Sequence, residues 1–129
     1  MIYLDTSVAL AHLLAEDRQP REDLWSHALV SSRLLEYELW TRLHARGLAK
    51  SHADGAQALT GRVAFLELIA EVLVRARAPF PSPVRTLDAL HLASLYFLRE
   101  QGQDVSLASY DERMLTAARK LKFGTFPLE

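Results

Sequence analysis

An apolar run of only four residues, Met1-Ile2-Tyr3-Leu4, opens the chain, stops at an acid, Asp5, and gives way at once to Thr6-Ser7 and a stretch of helical spacing. A run with no polar alternation reads as a short strand buried on both faces. Asp5 then stands at the carboxyl end of a buried strand, where a carboxylate has no packing role.

The same alternation of short apolar run and helical stretch continues. "TSVALAHLLAED" has helical spacing, with Thr6 or Ser7 available as cap, and "QPREDLWSHA" starts a second helix with Pro20 early and acids in its first turn. "ALVSS" is a strand, "RLLEYELWTRLHARGLAK" a helix stopped near Gly47, and "SHADGAQALTGR" a further helix opened by Ser51. "VAFLELI" reads as the third strand and "AEVLVRARA" as a short helix closed by Pro79. "PFPSPV" is an extended connector, "RTLDALHLASLYFLREQG" a long apolar helix ended by Gly102, and "VSLAS" the fourth strand. "YDERMLTAARKLKFG" is the last helix, with Asp111 in its first turn, and "TFPL" is available as an edge strand.

Alternating strands and helices require a parallel sheet covered on both faces: an α/β chain. With 129 residues, half of them hydrophobic, it fits a single domain spanning 1–129. Lys plus Arg number 15 against 16 Asp plus Glu, a net charge of −1, so no global basic field advertises nucleic acid and any polyanion must be met locally. The absence of cysteine excludes disulfides and thiolate metal sites. Asp5, His12 and Glu16 break any secretory apolar core, and no run reaches membrane-spanning length, so a cytoplasmic, soluble protein is expected.

In open parallel sheets ligands bind outside the carboxyl ends of the strands. Asp5 ends the first strand and Asp111 follows the "VSLAS" strand, so both reach that rim. Two further acids sit on helices: Glu38 points between Leu34 and Leu35, and Asp88 shares its direction with Leu92 and Leu95. Taken singly, each acid has a structural reading. Asp111 caps its helix, Asp88 satisfies amino-terminal N–H groups, Glu38 pairs with Arg42, and Asp5 starts a turn. Taken together, carboxylates crowded on one rim repel and raise one another's pKa unless a cation neutralises them. Hard oxygen ligands suit Mg²⁺ or Mn²⁺.

The segments "IYLDTSVAL", "SSRLLEYELW", "RTLDALHLAS" and "LASYDERM" resemble, in order and spacing, the four signature segments of the PIN-domain nucleases, especially the VapC-type toxins of bacterial toxin–antitoxin pairs. The likeness covers nearly the whole chain and is most specific in the first and third segments, whereas Ala49 to Pro83 match only in outline. It sets Asp5, Glu38, Asp88 and Asp111 on the four acids of the family, with Glu36 the competing choice in the second segment. Ser109 stands where the family usually has Thr, a change that keeps the hydroxyl.

The resemblance implies a Rossmann-like three-layer α/β/α sandwich and a Mg²⁺-dependent endoribonuclease toxin, with Mn²⁺ as a substitute ion and RNA as substrate. It further implies a VapB-like antitoxin partner and a homodimer or larger toxin–antitoxin complex. Asp5 and Asp88 are then the principal metal ligands, and Asp111 and Glu38 complete the site directly or through waters. Thr6 and Ser109 are candidate hydroxyl donors behind them, and His91 reads as a packed histidine. The alternative is a catalytically silent PIN-fold binding module, because a fold alone does not establish activity. Arg42, Arg46 and Lys50, spaced four apart, with Arg33 and Arg85, offer either a phosphate-holding rim or a solvated face. Trp25, Tyr37, Trp40 and Phe80 belong either to the core or to a partner groove.

Overall fold

A computed structural model describes all of residues 1–129. The elements in chain order are β1 (Ile2–Leu4), α1 (Thr6–Leu13), β2 (Leu29–Ser32), α2 (Arg33–Ala45), α3 (Ala53–Thr60), β3 (Val63–Leu66), α4 (Ala70–Ala76), α5 (Thr86–Glu100), β4 (Ser106–Ala108), α6 (Glu112–Lys120) and β5 (Gly124–Thr125). The five strands form one sheet in the order β3-β2-β1-β4-β5, and every pairing is parallel.

The pleat of β1 separates the two cores. Ile2 and Leu4 project into a cluster with Val8, Leu35, Leu39 and Leu59, contributed by α1, α2 and α3. Tyr3, between them, projects the other way into a cluster with Leu92, Leu95, Met114 and Leu115, contributed by α5 and α6. Helices therefore cover both faces, which is the three-layer α/β/α arrangement and the reason the short strands carry almost no polar alternation. No helix is long and apolar enough to cross a membrane.

The sheet order also fixes where ligands are met. The chain runs outward from β1 through β2 to β3, then returns to place β4 on the opposite side of β1. Neighbouring connections thus diverge at the carboxyl end of β1, which opens a crevice there. Asp5 follows that strand directly, its N–H bonded to the Ala108 carbonyl of β4 at 3.0 Å.

Several local expectations are revised. "QPREDLWSHA" makes only a five-residue 3-10 turn, Glu22–Ser26, that buries Leu24 alone. One buried side chain is too little to offset helix nucleation before β2 begins. The cap of α1 is neither Thr6 nor Ser7 but Asp5, which makes no side-chain capping bond because its carboxylate is engaged elsewhere. His52, not Ser51, precedes α3. Asp111 stands one residue before α6, as its cap. Gly47 and Gly102, at φ +68° and +85°, close α2 and α5 in the left-handed conformation that glycine adopts without strain.

Candidate active site

Asp5, Glu38, Asp88 and Asp111 all line one cleft at the carboxyl edge of the sheet. Each arrives from a different element. Asp5 follows β1, Asp111 lies just beyond β4, Glu38 sits on the second turn of α2, and Asp88 on the first turn of α5. Because Leu4 and Ala108 are register partners, Asp5 and Ser109 emerge side by side. Glu36 is turned away, exposed and paired with Arg33 at 3.3 Å.

Three of the acids are held by one oxygen each. Asp5, 5 % exposed, accepts on Oδ2 from the Ser7 hydroxyl at 2.6 Å and from the Ser109 hydroxyl at 2.8 Å. Ser7 and Ser109 in turn accept the N–H groups of Tyr110 and Asp111, so the loop after β4 is fastened to Asp5 through two hydroxyls. Glu38 accepts on Oε1 from the Thr6 hydroxyl at 2.9 Å and lies 2.7 Å from His91 Nε2, so its partner is His91 rather than Arg42. Asp88 is bound on Oδ2 by Arg85 Nε at 3.1 Å. No protein donor reaches the second oxygens, Asp5 Oδ1, Glu38 Oε2 and Asp88 Oδ1, and none of these atoms is sealed from water.

Asp111 is used at both ends. Its Oδ1 caps α6 by accepting from the N–H groups of Arg113 and Met114, and its Oδ2 accepts from Arg85 at 2.8 Å. Arg85 thereby spans Asp88 and Asp111 and is the cation of the acidic rim. Its guanidinium is pushed further toward the charged form, first by the hydrogen bond to Asp88. The Asp88 carboxyl is raised above the usual range, chiefly because burial disfavours its charge; Arg85 opposes this, and Asp111 and then Asp5 add repulsion. Mutual repulsion, the cause expected from the sequence, is thus present but subordinate to burial.

As the side chains stand, no three of these acids surround a single point as a ready-made ion cage. Arg85 accounts for this in physical terms, since it draws Asp88 and Asp111 to its own donors. The donor set itself, carboxylate oxygens with several left free and wet, fits a hydrated hard cation, which needs only one or two direct carboxylates.

Of the basic residues proposed for a rim, Arg42, Arg46 and Arg85 line the cleft together with Arg18, whereas Arg33 and Lys50 do not. Arg33 is instead held by Glu67 at 2.9 Å. Trp25, Trp40 and Phe80 pack against the two cores, and Tyr37 is exposed at 65 %. Sequence reasoning missed Ser7 and the bonding of His91 and Tyr3; a hydroxyl two residues after Asp5 was the only available signal for the first.

The PIN-domain family profile matches residues 2–120. Ribonuclease VapC46 of Mycobacterium tuberculosis (strain H37Rv) is 36 % identical over 127 residues, covering 93 % of this chain and 92 % of its own. Ribonuclease VapC47 of M. tuberculosis (strain CDC 1551) is 29 % identical over 132 residues, covering 97 % and 95 %. Among solved structures, the crystal structure of M. tuberculosis VapC20, described as a sarcin–ricin-loop-cleaving toxin, superposes with a TM-score of 0.69 at 23 % identity, covering 91 % of this chain and 95 % of that one. At that identity the likeness concerns the fold.

Proposed function

The chain belongs to the PIN-domain family and stands among its VapC ribonucleases, and from that kinship we propose that residues 1–129 act as one endoribonuclease domain whose acidic cleft works with Mg²⁺, or Mn²⁺ in its place. The observation that carries the reading is the convergence of Asp5, Glu38, Asp88 and Asp111, from four separate elements, on a single cleft walled by arginines. Asp5 and Asp88 serve as the principal ligands, and Glu38 and Asp111 complete the set directly or through water. A divalent cation, when bound there, supplies a water of lowered pKa and offsets charge on the leaving oxygen.

The protein's own groups do the rest. Ser7 and Ser109 fix Asp5, and Thr6 fixes Glu38, so the carboxylates meet the cation without first being ordered. Arg85, which lines the cleft beside Asp88 and Asp111, would meet the phosphodiester there. Arg42 and Arg46, which line the same cleft, hold neighbouring phosphates. In-line attack of water on phosphorus with departure of the 3′ oxygen leaves 5′-phosphate and 3′-hydroxyl ends. The protein acts in the cytoplasm as the toxin of a pair, restrained by a VapB-type antitoxin that covers the acidic rim, within a homodimer or larger complex.

The test is incubation of purified protein with RNA in Mg²⁺, in Mn²⁺ and in EDTA, with the ends of the products analysed. Cleavage in either metal, loss in EDTA and loss in Asp5→Asn are expected. Expression should arrest growth, with relief by Asp5→Asn. Efficient cutting in excess chelator would sink the metal chemistry, and RNA binding without cutting in either ion would point to the silent binding module.

A further inference from the structure

His91 sits in the middle of α5 at 1 % exposure, buried beyond the reach of any substrate, yet both of its ring nitrogens are engaged and one engages a cleft acid. We propose that His91, itself oriented by Tyr3, is a positioning residue that fixes the Glu38 carboxylate for cation binding; the inference rests on the metal reading of the site given above.

Tyr3 lies at the inner end of this network. Its hydroxyl accepts the N–H of Ser32 at 3.2 Å and lies 2.7 Å from His91 Nδ1. His91 Nε2 lies 2.7 Å from Glu38 Oε1, a carboxylate oxygen that accepts, so the ring proton is on Nε2. In the neutral ring Nδ1 then presents its lone pair to the Tyr3 hydroxyl, which donates to it while accepting from Ser32. Nε2–H faces Glu38 Oε1 at 2.7 Å, with the Thr6 oxygen at 3.2 Å.

Glu38 Oε1 then receives two donors, Nε2–H and the Thr6 hydroxyl, while Oε2 receives none. A carboxylate tied through one oxygen by two convergent donors cannot rotate freely, and its other oxygen is left for the cleft. The polar chain Ser32–Tyr3–His91–Glu38 crosses from β2 and β1 to α5, in one helical layer, and on to α2, in the other. A histidine needed only to fill the core has no requirement for a carboxylate that is one-fifth exposed. Groups that orient a metal-binding side chain from behind commonly carry about tenfold to a hundredfold of metal affinity.

The experiment measures Mn²⁺ binding to RNA-free protein by calorimetry and by the free-ion paramagnetic resonance signal, so it does not depend on activity. His91→Leu should weaken Mn²⁺ binding by about tenfold or more. His91→Gln should restore most of it, because the carboxamide N–H reaches the place of Nε2–H. Tyr3→Phe, which removes the hydroxyl that holds the Nδ1 side of the imidazole, should fall between them. In a Glu38→Gln background, His91→Leu should change Mn²⁺ affinity little, as two residues acting through one interaction are not additive.

An equal loss with and without Glu38 overturns the proposal, as does wild-type affinity in His91→Leu. If His91→Leu does not fold, Tyr3→Phe and His91→Gln decide: unaltered binding in Tyr3→Phe together with full loss in His91→Gln overturns it. Wild-type protein that takes up no Mn²⁺ overturns the metal reading and this inference together. Uptake that is indifferent to His91 overturns this inference alone.

Discussion

Asp88 combines a burial that disfavours its charge with a place in the acidic cleft beside Arg85. Its pKa is raised in the folded protein, so the fold binds the proton more tightly than the unfolded chain does. Between the unfolded and folded values stability falls as pH rises, and above the folded value the cost is constant. Asp88→Asn, neutral throughout, should match wild type in metal-free thermal denaturation at acid pH and exceed it at neutral pH, while nuclease activity is lost. A lower melting temperature at neutral pH would mean that the ion pair with Arg85 outweighs burial. Asp5 and Asp88 were legible because a carboxylate interrupts an apolar strand end or an apolar helix face. His91 was not, since a histidine on such a face looks the same whether it fills space or grips a neighbour. Nor could sequence distinguish Arg85 from Arg33: both flank acidic segments, and only the fold brings Glu67 to one and Asp111 to the other.

Helix α6 begins on a residue with two employments. Asp111 caps it through Oδ1, at 2.9 Å from the Arg113 N–H, and reaches into the cleft through Oδ2. Asparagine caps as well as aspartate, whereas alanine costs about 1 kcal/mol. Asp111→Asn should therefore keep its urea midpoint while activity falls, and Asp111→Ala should lose about 1 kcal/mol of stability besides. Equal stabilities for the two variants would show that the cap contributes nothing. The elements with a sustained apolar period, α2, α5 and α6, could be read from the chain. The stretch around Asp23 could not, because acids and an early proline signal a helix start but say nothing of how soon the next strand must begin.

Parallel pairing of the whole sheet follows from the alternation of its elements, but the order β3-β2-β1-β4-β5 follows from no local pattern. That order gathers the acids on a chain of net charge −1, so phosphate attraction has to come from a few arginines on the cleft wall. Replacing Arg42 and Arg46 together by Gln should weaken RNA binding uniformly across sequences and flatten the slope of log affinity against log salt by about 1.4, at 0.7 per lost contact to a single strand. Mn²⁺ binding should be untouched, and an unchanged salt slope would remove both residues from the RNA path. Arg85 has a different bearing on the molecule as a whole. A cluster of anions that waits for a metal ordinarily ties folding to ion supply, since the empty site repels itself. Here the chain carries its own counter-ion, tethered three residues before Asp88, so the acidic rim is partly neutralised by the fold itself. Under the metal reading proposed above, an incoming cation would compete with a side chain that never diffuses away, an exchange of ions rather than a folding step.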